Sequence, residues 1–429
     1  MYKKALCPKI PIIMNVLHIN KFHYIRGGCE SVYFETANIL ESHGHKSLFF
    51  SMHHPDNVSC ETNDYFMPYV DLNTNGNSIL SQLKNAGRIL YSLDARKRLS
   101  KLLNKHHVDI AHLHNIYHQI SPSILHTLAK KKIPVVMTLH DYKMACASYS
   151  MMVHGKPCEA CSGGRYFEII KNKCVKGSFV KSCLAALEMY VHHRVFEIYD
   201  NVDIFISPSL FLKHKLEDMG FKKEIVHLPN FIDTEKFKKV NSEENDRENA
   251  IIYFGRLSLE KGLYTLIKAA KLLKTNRKIE IKIIGDGPIR EDLEEKVKSD
   301  GINSVRFLGY LKGEALYKEV KKCLAVVLPS EWYENNPMSV LEAFALGKPV
   351  IGASIGGIPE LVKDNITGLT FEPGNAEDLR NKIEYMITNK DTMVEMGKKA
   401  RKMAEEEFNA EKHYQKLIEI YQSAIGKYR

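Results

Sequence analysis

The sequence predicts an α/β protein built from two doubly wound halves, each around a parallel sheet. Three observations carry this prediction. Short runs rich in β-branched and apolar residues alternate with longer amphipathic segments along nearly the whole chain. The polar stretch 236–249 (KFKKVNSEENDREN) interrupts that alternation and offers almost nothing to bury. Beyond it the alternation restarts and runs to the end of the sequence. Successive βαβ units of this kind place a parallel sheet between two layers of helices.

In the first half the strand-like runs are 12–19, 46–51, 109–114, 134–140, 203–207 and 224–228. Amphipathic segments such as 30–43 and 184–199 lie between them, with apolar residues recurring at three and four. The second half has strand-like runs at 250–254, 280–284, 304–308, 324–328, 349–353 and 369–371, and closes with helical segments near 376–388, 390–407 and 410–428. The expected division is a first domain 1–235 with a Cys-rich insertion at about 146–185, a linker 236–249, a second domain 250–408 and a C-terminal helix 409–429 packing back towards the first domain. Such sheets bind ligands beyond the carboxyl ends of their strands, where strand order reverses. With two of them facing each other, the cleft between is the expected site.

Composition narrows the class. At 429 residues, 44% hydrophobic and 26% charged, the chain is neither disordered nor collagen-like nor coiled coil. No apolar stretch approaches the roughly 18–20 residues of a membrane-spanning helix. The basic-then-apolar start resembles a signal peptide, but 12–19 reads better as a buried strand and no small-residue cleavage site follows, so a cytoplasmic protein is expected. The formal charge is +10, and all of the excess lies within residues 1–240, where 31 basic residues face 21 acidic ones. Such asymmetry speaks of polyanionic partners (nucleic acid, an anionic membrane surface, a phosphorylated substrate) or of a solubilising surface.

The strongest motif is SEWYENNPMSVLEAFALGKPVIGAS, residues 330–354. A strand ends at Pro329, a short loop carries Glu334, and a helix is expected to open at about Pro337 with Asn336 as a candidate cap. The backbone N–H groups of Met338, Ser339 and Val340 would then favour a phosphate. Glu334 on the loop and Glu342 on the second helical turn would both stand near that anion, where carboxylates serve as acceptors for sugar hydroxyls. The alternative is a solvated acidic helix start.

This Glu pair, followed by LEAFALGKPVI and GGIPELV, resembles the retaining glycosyltransferases of family 4, and the resemblance extends over nearly the whole chain. It implies the GT-B architecture, two Rossmann-like domains across a cleft, and a nucleotide-sugar donor. It further implies that Arg256 and Lys261 of FGRLSLEKG hold the donor diphosphate, a rigid donor fork beside a point charge. By the same resemblance His140, in VVMTLHDYKMAC, lies close to the donor sugar, and Gly28, in HYIRGGCES, lies against the diphosphate or the acceptor. Met338, Ser339 and Glu342 would bind the donor, Glu342 through its ribose. Many family members carry Gly or an aromatic residue after the first Glu; here Asn335 and Asn336 stand there, and their side chains are expected to bear on the choice of sugar.

Four cysteines are set apart in the insertion: Cys158, Cys161, Cys174 and Cys183, spaced C-x2-C-x12-C-x8-C. In a cytosolic chain this clustering favours a structural zinc over disulfides, with unrelated reduced thiols as the alternative. Similar insertions mark some polysaccharide-assembly members of the family. No cofactor is expected for catalysis, because no Asp-x-Asp pair occurs to hold a metal on the diphosphate.

Together these features imply a retaining, metal-independent transfer from a UDP- or GDP-sugar to a saccharide acceptor in capsule, exopolysaccharide or O-antigen assembly. The expected acceptor is polyprenyl-diphosphate-linked and reached from the inner face of the cell membrane. A non-catalytic sugar-nucleotide or glycan binder of the same fold is the rival. A nucleic-acid partner is not expected, since it explains none of the motifs after residue 250. A nicotinamide enzyme lacks its G-x-G-x-x-G after the first strand.

Overall fold

The computed structural model describes residues 13–69, 87–238, 248–274 and 279–428. Most of the expected linker, residues 239–247, and the basic start, residues 1–12, lie outside the described residues.

The first sheet contains β1 (Asn15–Ile19), β2 (Lys46–Phe50), β3 (Ile110–Leu113), β4 (Val135–Thr138), β7 (Ile204–Ser207) and β8 (Ile225–His227), in the order β2-β1-β3-β4-β7-β8. Between β4 and β7 a hairpin of two-residue strands, β5 (Met152–Val153) and β6 (Lys156–Pro157), opens the insertion. The second sheet contains β9 (Ala250–Phe254), β10 (Glu280–Ile284), β11 (Val305–Gly309), β12 (Ala325–Leu328), β13 (Val350–Ala353) and β14 (Gly368–Phe371), in the order β11-β10-β9-β12-β13-β14. All registers given for it are parallel. β9, β12 and β13 are buried along their whole length, as strands covered on both faces must be. Chain order reverses between β9 and β12, which makes their carboxyl ends the topological switch point of this sheet.

Every expected strand is present to within three residues. The expected helix over 184–199 is not continuous. The helix Phe179–Tyr190 passes into a π turn at Val191–Val195, and Glu197 adopts φ +43, a left-handed conformation that no helix can pass through.

The chain divides into two compact units. One is formed by the described residues of Met1–Thr138, Val191–Phe205 and Ile418–Arg429, the other by Leu139–Tyr190 and Ile206–Leu417. The boundary therefore runs inside 1–235, and the cysteine-bearing insertion groups with the second sheet.

The core of the first unit holds an unusual amount of imidazole. His18 on β1 and His112 on β3 are register partners, and one ring nitrogen from each of His18, His112 and His114 lies within 4.8 Å of the others. The His112 nitrogens face two hydroxyls, Tyr421 and Thr138, each at 2.7 Å. His18 stacks on Phe49 with both ring nitrogens buried and unpartnered. Burial, with His23 nearby, pushes the His18 pKa down to about 3, and burial alone pushes His23 to about 4. These rings are neutral when folded and take up protons on unfolding at any pH between those values and about 6.5. Stability should therefore fall as pH drops below about 6.5, by about 1.4 kcal/mol per pH unit for each such histidine. Urea titrations across that range check this, and His18→Leu should give a shallower slope than the native chain.

Candidate functional site

Beyond β9 the chain passes Arg256 and a 3-10 turn, Leu259–Lys261, then enters the helix Leu263–Lys271 through Gly262 at φ +67. A Cβ on Gly262 would lie 1.8 Å from the Pro329 carbonyl oxygen, so only glycine lets this loop rest against the end of β12. That approach brings Lys261 Nζ to 2.7 Å from Glu334 Oε1, with the ammonium 5.1 Å from the centroid of Trp332. The Ser330 hydroxyl donates to the same carboxylate oxygen at 2.6 Å. Glu334 is buried, and burial opposes its ionisation; Lys261 and Ser330 outweigh that and hold the carboxyl below the usual carboxylate range.

The backbone around Glu334 is fixed from the other side by the loop after β13. Gly357 N–H donates to the Glu334 carbonyl at 2.7 Å. A Cβ on Gly357 would stand 1.8 Å from the Asn335 carbonyl oxygen, and one on Gly356 would stand 2.4 Å from that of Glu334. The two asparagine side chains differ here. Asn335 Nδ2 donates to the Leu139 carbonyl at 3.0 Å and its Oδ1 accepts from Ser209 Oγ at 2.7 Å, so its amide holds the loop. Asn336 keeps a buried, unpartnered Oδ1.

The expected helix start is corrected by one residue. Pro337 is not the first helical residue but an extended N-cap (φ −69, ψ 119), and the helix runs Met338–Ala345. Asn336 does not cap it: its carbonyl, which would accept the first helical hydrogen bond, accepts Asn230 Nδ2 at 2.9 Å instead. Val340 N–H is taken by the Pro337 carbonyl at 3.1 Å, which leaves the amides of Met338 and Ser339 at a helix start with no side-chain cap. Glu342 is half-buried on the second turn, its carboxyl pushed up to about 7 by burial. Arg256 is exposed, its carbonyl accepting the Tyr253 hydroxyl at 2.7 Å.

Of the remaining candidates, His140 follows Leu139 and so stands one residue from the Asn335 contact; burial holds its imidazole neutral, with a pKa of about 3. Gly28 begins the helix Gly28–Ser42 in the other unit. Cys158, Cys161 and Cys174 line one small cavity together with Cys146, whereas Cys183, on the helix Phe179–Tyr190, does not line it.

Two family models account for most of the chain: Glycosyltransferase Family 4 over residues 26–236 and Glycosyl transferases group 1 over residues 234–403. The chain belongs to glycosyltransferase family 4. Among relatives, it is 29% identical over 181 residues to an uncharacterized glycosyltransferase of Methanocaldococcus jannaschii, covering 42% of this chain and 46% of that one. It is 27% identical over 226 residues to an amylovoran biosynthesis glycosyltransferase of Erwinia amylovora, covering 51% and 56%. In both cases the match spans about half the relative's length. The Anabaena protein HepE, solved with UDP and glucose, shares the fold at TM-score 0.65 and 18% identity, covering 96% of this chain and all of that one.

Several residues of this chain escape sequence reading. Glu360, inside GGIPELV, accepts the backbone N–H groups of Leu210 and Phe211 at 2.9 and 2.6 Å and so caps the helix Leu210–Asp218 from another element. Glu159, between Cys158 and Cys161, accepts the Tyr333 hydroxyl at 3.0 Å and Lys215 Nζ at 2.7 Å. Both are carboxylates without local context; only the fold supplies their partners.

Gly357→Ala should displace the Glu334–Asn335 backbone and cost about 2–4 kcal/mol. Gly426→Ala, which meets open space, should be within about 0.5 kcal/mol of the native chain. Thermal denaturation of the two variants side by side makes the comparison.

Proposed function

We propose that this chain transfers a sugar, with retention at the anomeric carbon, from a nucleotide-sugar donor to a saccharide acceptor. The observation that carries the proposal is a buried, ionised Glu334 paired with Lys261 beside an uncapped helix start, at the switch point of a sheet. A helix N-terminus with open amides, with the Lys261 ammonium on Glu334 of the loop before it, suits a diphosphate. Arg256 and Lys261, with the amides of Met338 and Ser339, would stabilise negative charge developing on the departing diphosphate. Glu334 would accept hydroxyls of the donor sugar, the unpartnered Asn336 Oδ1 offering a second acceptor, and Glu342 would receive the ribose. The neutral imidazole of His140 would line the sugar position without acting as a base, and Gly28 would give backbone access to the donor. With no Asp-x-Asp pair in the sequence, the transfer is proposed to run without a metal on the diphosphate.

Trp332 is the only tryptophan in the chain and lies against Lys261, so its fluorescence reports donor binding directly. Titration with a panel of UDP- and GDP-sugars should quench or shift it for one donor. Arg256→Ala and Glu334→Ala should each lower transfer by about 10²–10³-fold. Turnover should need no added divalent cation, and NMR should find the donor's anomeric configuration in the product. Binding without turnover by the native chain would make it a non-catalytic binder; an inverted product would overturn retention.

The acceptor is proposed to be a polyprenyl-diphosphate-linked saccharide in bacterial surface-polysaccharide synthesis, in line with the Erwinia relative's part in amylovoran biosynthesis. The described helices include none long and apolar enough to cross a membrane. The basic surplus in residues 1–240 supports peripheral docking on an anionic cytoplasmic leaflet. Liposome sedimentation should show binding to anionic vesicles that falls with salt; equal binding to neutral vesicles would remove the electrostatic part.

A further inference from the structure

The insertion after β4 is poorly supported by its own hydrophobic contacts. Its separate buried cluster consists of Ala147, Tyr166, Ile169, Ala185, Ala186 and Met189, three of them alanines. The only sheet in it is the hairpin of two-residue strands. Yet its backbone is held in costly conformations: Tyr149, Met151, His154, Lys173 and Lys176 all have positive φ, half of the non-glycine residues that do so among those described. Left-handed backbone at such residues costs about 1–3 kcal/mol each and persists only where the surroundings over-determine it. Segments of this size with so little core usually carry a metal or disulfides. Among the described residues every cysteine is a free thiol.

Four of these thiols, drawn from three segments, line one cavity. Cys146 comes from the loop after β4, Cys158 and Cys161 from the turn after β6, and Cys174 from the turn after the helix Phe167–Lys171. All four line one cavity of about 10 Å³, room for a single water-sized atom. The Cys158–Cys161 turn is closed by Ser162 N–H to the Glu159 carbonyl and Gly164 N–H to the Cys161 carbonyl, both at 3.0 Å, with Gly163 and Gly164 left-handed. We propose that Cys146, Cys158, Cys161 and Cys174 form a structural zinc site that staples the insertion to the loop carrying His140, and that Cys183 takes no part. Four soft sulfur donors lining one atom-sized cavity are the ligand types of a closed tetrahedral zinc centre. Each coordinated thiol gives its proton to solvent as the metal binds. The site supplies the over-determination that the apolar cluster lacks, and it leaves the donor-binding residues untouched.

Elemental analysis of the full chain purified without chelator should find one zinc per chain. Exchange for cobalt should produce the thiolate charge-transfer and visible ligand-field bands of a tetrahedral sulfur site. Cys183→Ser should keep both the metal and the spectrum. Cys146→Ser should lower zinc content at least tenfold or shift the cobalt bands to a three-sulfur pattern. Should Cys146→Ser not fold, alkylation of the folded native chain decides: Cys183 should label while the four ligands stay protected until a chelator is added. A native chain without metal, or loss of metal from Cys183→Ser with none from Cys146→Ser, would overturn the assignment. Because the readout is metal content, the result stands apart from whether sugar transfer is found.

Discussion

Withdrawing a carboxylate from water costs several kcal/mol unless a cation and hydrogen-bond donors meet it. Glu334 is withdrawn in this way, and Lys261 meets it at 2.7 Å. The two residues come from loops after different strands, so the pair forms only if the ends of β9 and β12 lie within reach of one lysine side chain. Adjacency of those strands in the sheet provides the coarse distance. Gly262 provides the fine one, since any side chain there would strike the Pro329 carbonyl and lift the lysine loop away. The pair therefore ties sheet topology, a single glycine and an ionisation state into one constraint.

The loop bearing Glu334 has no regular structure of its own, and its position comes from outside it. Gly356 and Gly357 press against its backbone; Asn335 anchors it to Leu139 and Ser209, and Asn230 holds the Asn336 carbonyl. Each anchor belongs to a segment that follows a strand, which is why the loop sits at carboxyl ends and nowhere else. The same anchors explain why the helix after it begins uncapped. Asn336 serves Asn230 rather than the helix, and the Met338 and Ser339 amides are left at the position where an anion gains most from them.

Alternation of strand and helix patterns made both sheets legible, because parallel strands buried on both faces need continuous apolar runs that no polar loop imitates. Glu334, Glu342, Arg256 and Lys261 stand out in the sequence because they sit in recognisable motifs, and among them the structure pairs Lys261 with Glu334. What stayed hidden has a common cause: it depends on partners distant in sequence. Glu360 looks like any helical glutamate until it meets Leu210 and Phe211, and Asn335 looks like a ligand residue until Leu139 and Ser209 occupy its amide. The break in the helix over 184–199 was invisible because its apolar spacing continues past Glu197, where the backbone turns left-handed. The buried imidazole of His18 was equally mute, since a histidine within a β-strand carries no sign of the burial that keeps it neutral.

Cys146 and Cys183 illustrate the same limit from the other side. Spacing groups Cys183 with the insertion and leaves Cys146 as the tail of a strand motif, yet it is Cys146 that shares the cavity with the other three. The consequence reaches the donor loop. Glu159, held between two of the cavity's cysteines, accepts the Tyr333 hydroxyl, the residue before Glu334. An insertion whose own buried cluster is six residues, three of them alanines, has little core with which to hold that carboxylate against the entropy of a flexible turn. Fixing Cys158 and Cys161 at one point fixes Glu159, and through it one edge of the Tyr333–Glu334 loop. The cysteine cluster therefore belongs to the support of the site although none of its sulfurs need touch a substrate.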